Sequence, residues 1–355
     1  MSKIVHRTIL SAVFLSLFVW LDVGTAAPQD LSTCTGTFIS VSTPLNDLGN
    51  SEYVRLNGGP TGYLGGLYPG GSNVRPPAHD TSGRELASQV IPLDTSGHPS
   101  PTGRIVMVSI GMSNTYSEFH GFILVARADP AFNHRVALVD GAQPGMVASD
   151  WADPNAPTWT NVDNLLVSGG LSPLQVEVAW VKLTNYNLDQ FPQSIQNLQN
   201  DLKSVTRDLK IHYPNIKLAY FSSRTRSYTY WQGLNPEPYA FETGFAVKWL
   251  IEAQINGDQE LNYDPAKGPV VAPYLSWGPY LWIDGLNPRS DGMIWTQADL
   301  VGDCTHPSNS GIDKVAAQLL AFFKNDATTR PWFLATKAFY LPYVLQSGPS
   351  GSISP

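Results

Sequence analysis

The chain has 355 residues, 43% of them hydrophobic, enough to bury the core of one large α/β domain or two small ones, and this excludes intrinsic disorder. A formal net charge of -7, with 14% charged residues and no basic stripe, excludes nucleic acid as an expected partner. Gly (30), Pro (28), Trp (10) and Tyr (15) are plentiful, which implies ordered, aromatic-bearing loops on a rigid scaffold.

At the start of the chain, Lys3 and Arg7 precede an apolar run from Ile9 to Trp20 that closes on Gly24, Thr25, Ala26 and Ala27. This is the layout of a secretory signal peptide over 1–27, so a secreted or periplasmic protein is expected. The run is short for a membrane span, which needs about 20 residues, and no later stretch is long enough to be one. A retained N-terminal anchor is the alternative and leaves the compartment unchanged. The cysteines are Cys34 and Cys304. Export permits a disulfide between them, tying the mature N-terminus to a distant loop, and two inert thiols are the other reading.

Residues 28–100 are rich in Gly, Pro and Ser, including Gly58-Gly59-Pro60 and Gly65-Gly66-Leu67-Tyr68-Pro69-Gly70-Gly71. They read as a loop-rich N-terminal extension of turns and extended chain, wrapped on the main domain. No Gly-Lys-Ser/Thr follows these glycines, so they form no nucleotide-binding loop.

From Arg104 the pattern changes. Ile105 to Ile110 is a nearly continuous β-favouring run ending at Gly111, as a buried parallel strand requires. Further strands are expected at Val136 to Val139, Val176 to Val181 and Lys217 to Phe221. Helical spacing between them sets Ile195, Leu198, Leu202, Val205 and Leu209 on one face. A second helix is expected over about Tyr239 to Ile255, and a third with Ile312, Val315, Ala316, Leu319, Leu320 and Phe323 together. Alternating strands and amphipathic helices predict a three-layer α/β/α sandwich over 101–325, its parallel sheet covered on both faces. Residues 326–355 form a C-terminal segment with Pro331-Trp332-Phe333, ending in a flexible Gly/Ser/Pro tail.

In such a fold, active sites form at the carboxyl ends of the strands. Three polar clusters fall there. Gly111-Met112-Ser113-Asn114-Thr115 follows the first strand and exposes a serine on a turn. Thr115 stands where the nucleophile elbow of α/β-hydrolases needs glycine, which disfavours that family. Asp303-Cys304-Thr305-His306-Pro307 places a carboxylate and an imidazole on one side of a turn, so that Asp303 fixes the His306 tautomer and the other ring nitrogen faces outward as a base. Asp291 and Asp299 are alternative partners for His306, and Ser308 or Ser310 can cap the helix that follows. The third cluster is Gly141 to Gly145 with Lys182-Leu183-Thr184-Asn185, a source of oxyanion donors.

In this order, Ser113, Gly145, Asn185 and then Asp303 with His306 resemble the serine, glycine, asparagine and Asp-x-x-His blocks of the SGNH/GDSL hydrolase family, over about residues 101–325. The resemblance implies a flavodoxin-like α/β/α sandwich and a serine esterase with no cofactor. Ser113 would be nucleophile, His306 base and Asp303 its orienting acid, with Gly145 and Asn185 in the oxyanion hole. The chain departs from the family at Met112, where an Asp is usual, and at Leu183-Thr184-Asn185-Tyr186, where Gly-x-Asn-Asp is usual. Lys182 is the alternative second donor.

The remaining histidines, His79, His98, His120, His134 and His212, have no metal-ligand spacing, so no metal is expected. Tyr228, Tyr230, Trp231, Trp277, Tyr280 and Trp282 either stack on sugar rings or pack the core. The function expected is therefore hydrolysis of an ester, an O-acyl group on a carbohydrate being favoured over a lipid ester. A non-catalytic carbohydrate-binding or surface protein that keeps the fold is the competing reading.

Overall fold

The computed structural model describes residues 33–56 and 58–335. The expected signal segment and the final Gly/Ser/Pro tail lie outside the described residues. A five-stranded parallel sheet is built from β1 (Ile105–Gly111), β2 (Val136–Asp140), β3 (Val176–Lys182), β4 (Leu218–Phe221) and β5 (Tyr274–Trp277), in the order β2-β1-β3-β4-β5. The order reverses direction at β1, so the crevice where an open α/β sheet takes its ligand opens beside the end of that strand.

Six principal helices cover the sheet: α1 (Pro77–Ser88), α2 (Ser113–Ala128), α3 (Pro157–Ser168), α4 (Gln193–His212), α5 (Tyr239–Ile255) and α6 (Asn309–Asn325). The period-2 alternation of the strands sorts the core into two layers. Val106, Val108, Ile110, Ala179, Val181, Ala219 and Phe221 face the α3, α4 and α5 side. Met107, Leu138, Val178, Trp180, Leu218 and Tyr220 face α2 and α6. The stripe predicted for α4 is buried from Ile195 to Leu209, and Val315, Ala316, Leu319 and Phe323 of α6 are buried likewise. This is the three-layer α/β/α sandwich the spacing predicted.

Three elements differ from the sequence expectation. Residues 33–100 contain regular structure: an antiparallel hairpin of Glu52–Arg55 with Gly59–Leu64, and the 12-residue α1. Pro76 and Pro77 mark a turn in sequence, yet Pro at the first helical position costs no hydrogen bond and opens α1. The fifth strand was hidden because its four residues follow directly on Pro273. The segment is also more than a wrapping. Leu45, Tyr53 and Tyr68 enter one core layer, Cys34, Ala87 and Val90 the other. At the other end of the domain, Trp332 and Phe333 are buried against Phe323, so residues 326–335 close the second layer.

Candidate active site

The sheet ends β1 at Gly111, and the chain turns at once into α2, whose first residue is Ser113. Glycine is required at that turn, because a Cβ at Gly111 would collide with the Thr115 side chain. Ser113 stands at a helix N-terminus, where backbone N–H groups have no intrahelical acceptor. Its own N–H donates to no described residue.

The second piece arrives just before α6. Asp303 Oδ1 accepts the backbone N–H groups of Thr305 and His306, both at 2.9 Å, which folds the loop back on itself. Its other oxygen accepts the His306 Nδ1–H at 2.5 Å. Burial acts to raise the Asp303 carboxyl, but these three donors outweigh it and hold its pKa down at about 2. With Nδ1 donating to Asp303, Nε2 is left as an acceptor, and it lies 2.6 Å from Ser113 Oγ. The structure thus brings Ser113, His306 and Asp303 into one hydrogen-bonded chain across 193 positions of sequence.

Several contacts fix this chain in place. Asn114 donates from Nδ2 to the Thr305 carbonyl, lashing the start of α2 to the acid-base loop. Ser308 caps α6 through its hydroxyl on the Gly311 N–H. Cys304 sits between the acid and the base and is bonded to Cys34. Cys304 adopts φ 64°, a left-handed conformation unusual for a side chain with a Cβ. Its carbonyl accepts the Tyr228 N–H and the Ser227 hydroxyl.

Asp291 and Asp299 are not partners of His306. Asp291 pairs with Arg289, and Asp299 accepts from Lys314 and Ser310.

The expected oxyanion donors are placed unequally. Gly145 has φ 83°, a conformation that favours glycine, with open space where a Cβ would stand, and its N–H donates to no described residue. Its carbonyl accepts the Tyr186 hydroxyl, which joins the glycine block to the asparagine block. Asn185 is held by two contacts. Its Nδ2 donates one N–H to Asp201 in α4 and its Oδ1 accepts the Ser149 N–H, which fixes the amide and leaves one Nδ2 N–H with no described acceptor. The alternative, Lys182, is not free. Its ammonium lies 2.5 Å from both oxygens of Glu118, one helical turn beyond Ser113, with both side chains buried. Burial pushes the Glu118 carboxyl up and the Lys182 ammonium down, and their mutual attraction opposes both shifts.

Two features of the site were missed in the sequence: Glu118, and Arg224 in the buried polar run Ser222 to Ser227 after β4. The legible signal for the second is that run itself, Ser-Ser-Arg-Thr-Arg-Ser, at a carboxyl strand end where a loop carries chemistry.

Of the aromatic candidates, Tyr228, Trp277, Tyr280 and Trp282 are buried in the core, whereas Tyr230 and Trp231 are 70% and 69% exposed. His120 lies on the exposed face of α2. Among the described residues, no group of His, Cys, Asp and Glu side chains is placed to hold a metal ion, and no helix is long and apolar enough to cross a membrane.

No family model and no curated protein matches the chain. Among solved structures it is similar to a lipase from a goat rumen metagenome, at 13% identity and TM-score 0.37 over 61% of this chain and 96% of that one. It is similar to a carbohydrate esterase family 3 protein from Talaromyces cellulolyticus, at 12% identity and TM-score 0.37 over 61% of this chain and 94% of that one. A family two carbohydrate esterase from Clostridium thermocellum is similar at 15% identity and TM-score 0.36, over 64% of this chain and 66% of that one. SGNH hydrolases, carbohydrate esterases and acylhydrolases recur among such neighbours. Likeness this distant carries no chemistry from those proteins to this one.

Proposed function

We propose that this protein is an exported serine esterase of the SGNH type, acting on an O-acyl group of a carbohydrate. The observation that carries the reading is the hydrogen-bonded chain from Ser113 Oγ through His306 to Asp303. In the reaction, Ser113 Oγ attacks the ester carbonyl carbon while His306 Nε2 takes its proton. Asp303 stays ionised and holds the imidazolium. The carbonyl oxygen, now negative, takes hydrogen bonds from the free N–H groups of Ser113 and Gly145. As the C–O bond of the ester breaks, His306 returns the proton to the departing alcohol, leaving an acyl-serine. Water then attacks that carbonyl, gives its proton to His306, and the carboxylic acid leaves as the proton passes back to Ser113.

Export is supported by the disulfide, since such bonds persist in oxidising compartments. A sugar-borne substrate is supported by the exposed pair Tyr230 and Trp231, whose loop is hydrogen-bonded to Cys304 through the Tyr228 N–H.

The bond of Asn185 to Asp201, which takes up one of its two amide N–H groups, supports a second reading, a carbohydrate-binding protein that keeps this fold without turnover. Hydrolysis of a small aryl acetate separates the two. Turnover that disappears in Ser113→Ala supports the esterase; no turnover, or turnover unchanged in that variant, overturns it.

A further inference from the structure

Among the described residues, the most enclosed arginines pair with carboxylates, with one exception. Arg226 donates to Asp284 and to the Ile39 carbonyl. Arg289 donates to Asp291, Gln318 and the Tyr280 carbonyl. Arg75 donates to Asp326, Asp80 and Ser276. Arg224 is 7% exposed, and its Nε, like that of Arg226, is buried without a partner; what sets it apart is that its two terminal nitrogens donate to no described residue either. The terminal nitrogens are not among the buried unpartnered atoms, so they keep an opening through which an acceptor can reach them, and an acceptor that closes that opening spares them the cost of being left unpaired.

Its position says where. Arg224 is the third residue after β4, and Lys182 ends the adjacent β3, so both stand at the carboxyl edge that carries Ser113. The charges of Glu118, Glu237 and Asp303 act on it through space without touching it. Each of those carboxylates is committed elsewhere: Glu118 to Lys182, Asp303 to His306, and Glu237 to Trp282 and two backbone N–H groups. The loop holding Arg224 is fixed to the acid-base loop by the Ser227 hydroxyl, which donates to the Cys304 carbonyl and accepts from the Thr305 hydroxyl. The oxyanion itself has the Ser113 and Gly145 N–H groups, so the fork of Arg224 is available to another part of the substrate.

We propose that Arg224 binds a carboxylate borne by the substrate beside the scissile ester, making the enzyme selective for acidic esters. A guanidinium presents paired donors in the plane that a carboxylate accepts, which a lysine in its place would not reproduce. The proposal rests on the esterase reading, and a binding measurement without turnover tests the carboxylate site apart from it.

The test compares two aryl esters, 4-acetoxybenzoate and its methyl ester, on the wild-type chain, Arg224→Gln and Arg224→Lys. The expected result is that the ratio of kcat/KM for the acidic over the neutral ester falls at least tenfold in Arg224→Gln, chiefly through KM, and less in Arg224→Lys. A ratio within twofold of wild type in both variants overturns the proposal. Calorimetric titration with 4-hydroxybenzoate and its methyl ester reads the same preference without turnover. If neither ester is hydrolysed by wild type, the esterase reading fails, and this titration alone decides Arg224. Binding of the acid that is lost in Arg224→Gln supports the site; binding that is equal for acid and methyl ester, or equal in wild type and variant, overturns it. Should Arg224→Gln not fold, Arg224→Lys carries both measurements.

Discussion

Cys34 is bonded to Cys304, 270 positions away, and Cys304 lies between Asp303 and His306. The bond therefore anchors the turn that orients the candidate base, and it closes a loop spanning nearly the whole described chain. Cross-links of this kind stabilise by about 2–5 kcal/mol, mainly by restricting the unfolded chain. Cys34→Ser is expected to lower the thermal midpoint and to reduce kcat several-fold in protein whose far-UV spectrum remains native. If kcat is unchanged in the folded variant, the bond does not position Asp303.

The hydrogen-bonded chain makes its own prediction about the acid. Asp303→Asn keeps the size of the side chain but removes the charge that holds the His306 Nδ1–H, so the ring can present the wrong nitrogen to Ser113. Loss of this function costs roughly 10⁴-fold in kcat where a buried acid fills it, and about 10²- to 10⁴-fold is expected at this half-exposed position. KM for an aryl acetate should change little. A drop of less than tenfold would assign the turn a structural role only.

How much of this was legible in advance follows from the range of each interaction. Ser113 and His306 were readable because each sits at a fixed offset from a strand end or a helix start, and Asp303 because it reaches His306 across three positions. Asn185 was placed among the oxyanion donors by its order along the chain. Its amide direction depends on Asp201, a residue of the following helix, and no local pattern reports that contact. Lys182 is the alternative donor in sequence for the same reason, since its partner lies 64 positions earlier on α2. The hidden elements, α1 and β5, were masked by prolines that permit them where they start.

The Lys182–Glu118 pair is buried and in close contact, so its two members should be strongly coupled. Breaking such a pair by removing one partner typically costs about 3–5 kcal/mol, because a buried charge is left alone. Lys182→Met and Glu118→Gln are each expected to destabilise the fold by that order in urea unfolding, whereas the double variant recovers most of the loss. The pair also lies beneath the start of α2, where the Thr115 hydroxyl bonds the Lys182 carbonyl at 2.7 Å. The single variants should therefore lower kcat even where they remain folded. Additive losses in the double variant would show that the two side chains act independently.

Stability should fall as pH rises from about 4 to 7. Burial pushes the Asp140 carboxyl up to about 6 against the Ser109 hydroxyl and the Ala142 N–H that bond it, and its Oδ2 has no partner. Burial likewise pushes Glu177 up to about 7, against the attraction of Lys217 at 2.9 Å. Both folded values lie above the ordinary 3.8 and 4.5, so the folded chain holds protons that the unfolded chain has released. Their contribution is fully present below the unfolded values and is lost as pH climbs through the folded ones; for the fully buried Glu177 it amounts to roughly 3–4 kcal/mol at most. His79, pushed down to about 4 by burial, opposes this within the same window, and Asp303, held at about 2, has the same opposing sign but acts only in stronger acid. Urea midpoints measured between pH 4 and pH 8 should therefore decline in wild type, and the slope should flatten in Glu177→Gln and further when Asp140→Asn is added. An unaltered slope in the double variant would mean that neither buried carboxyl holds a proton in the folded chain.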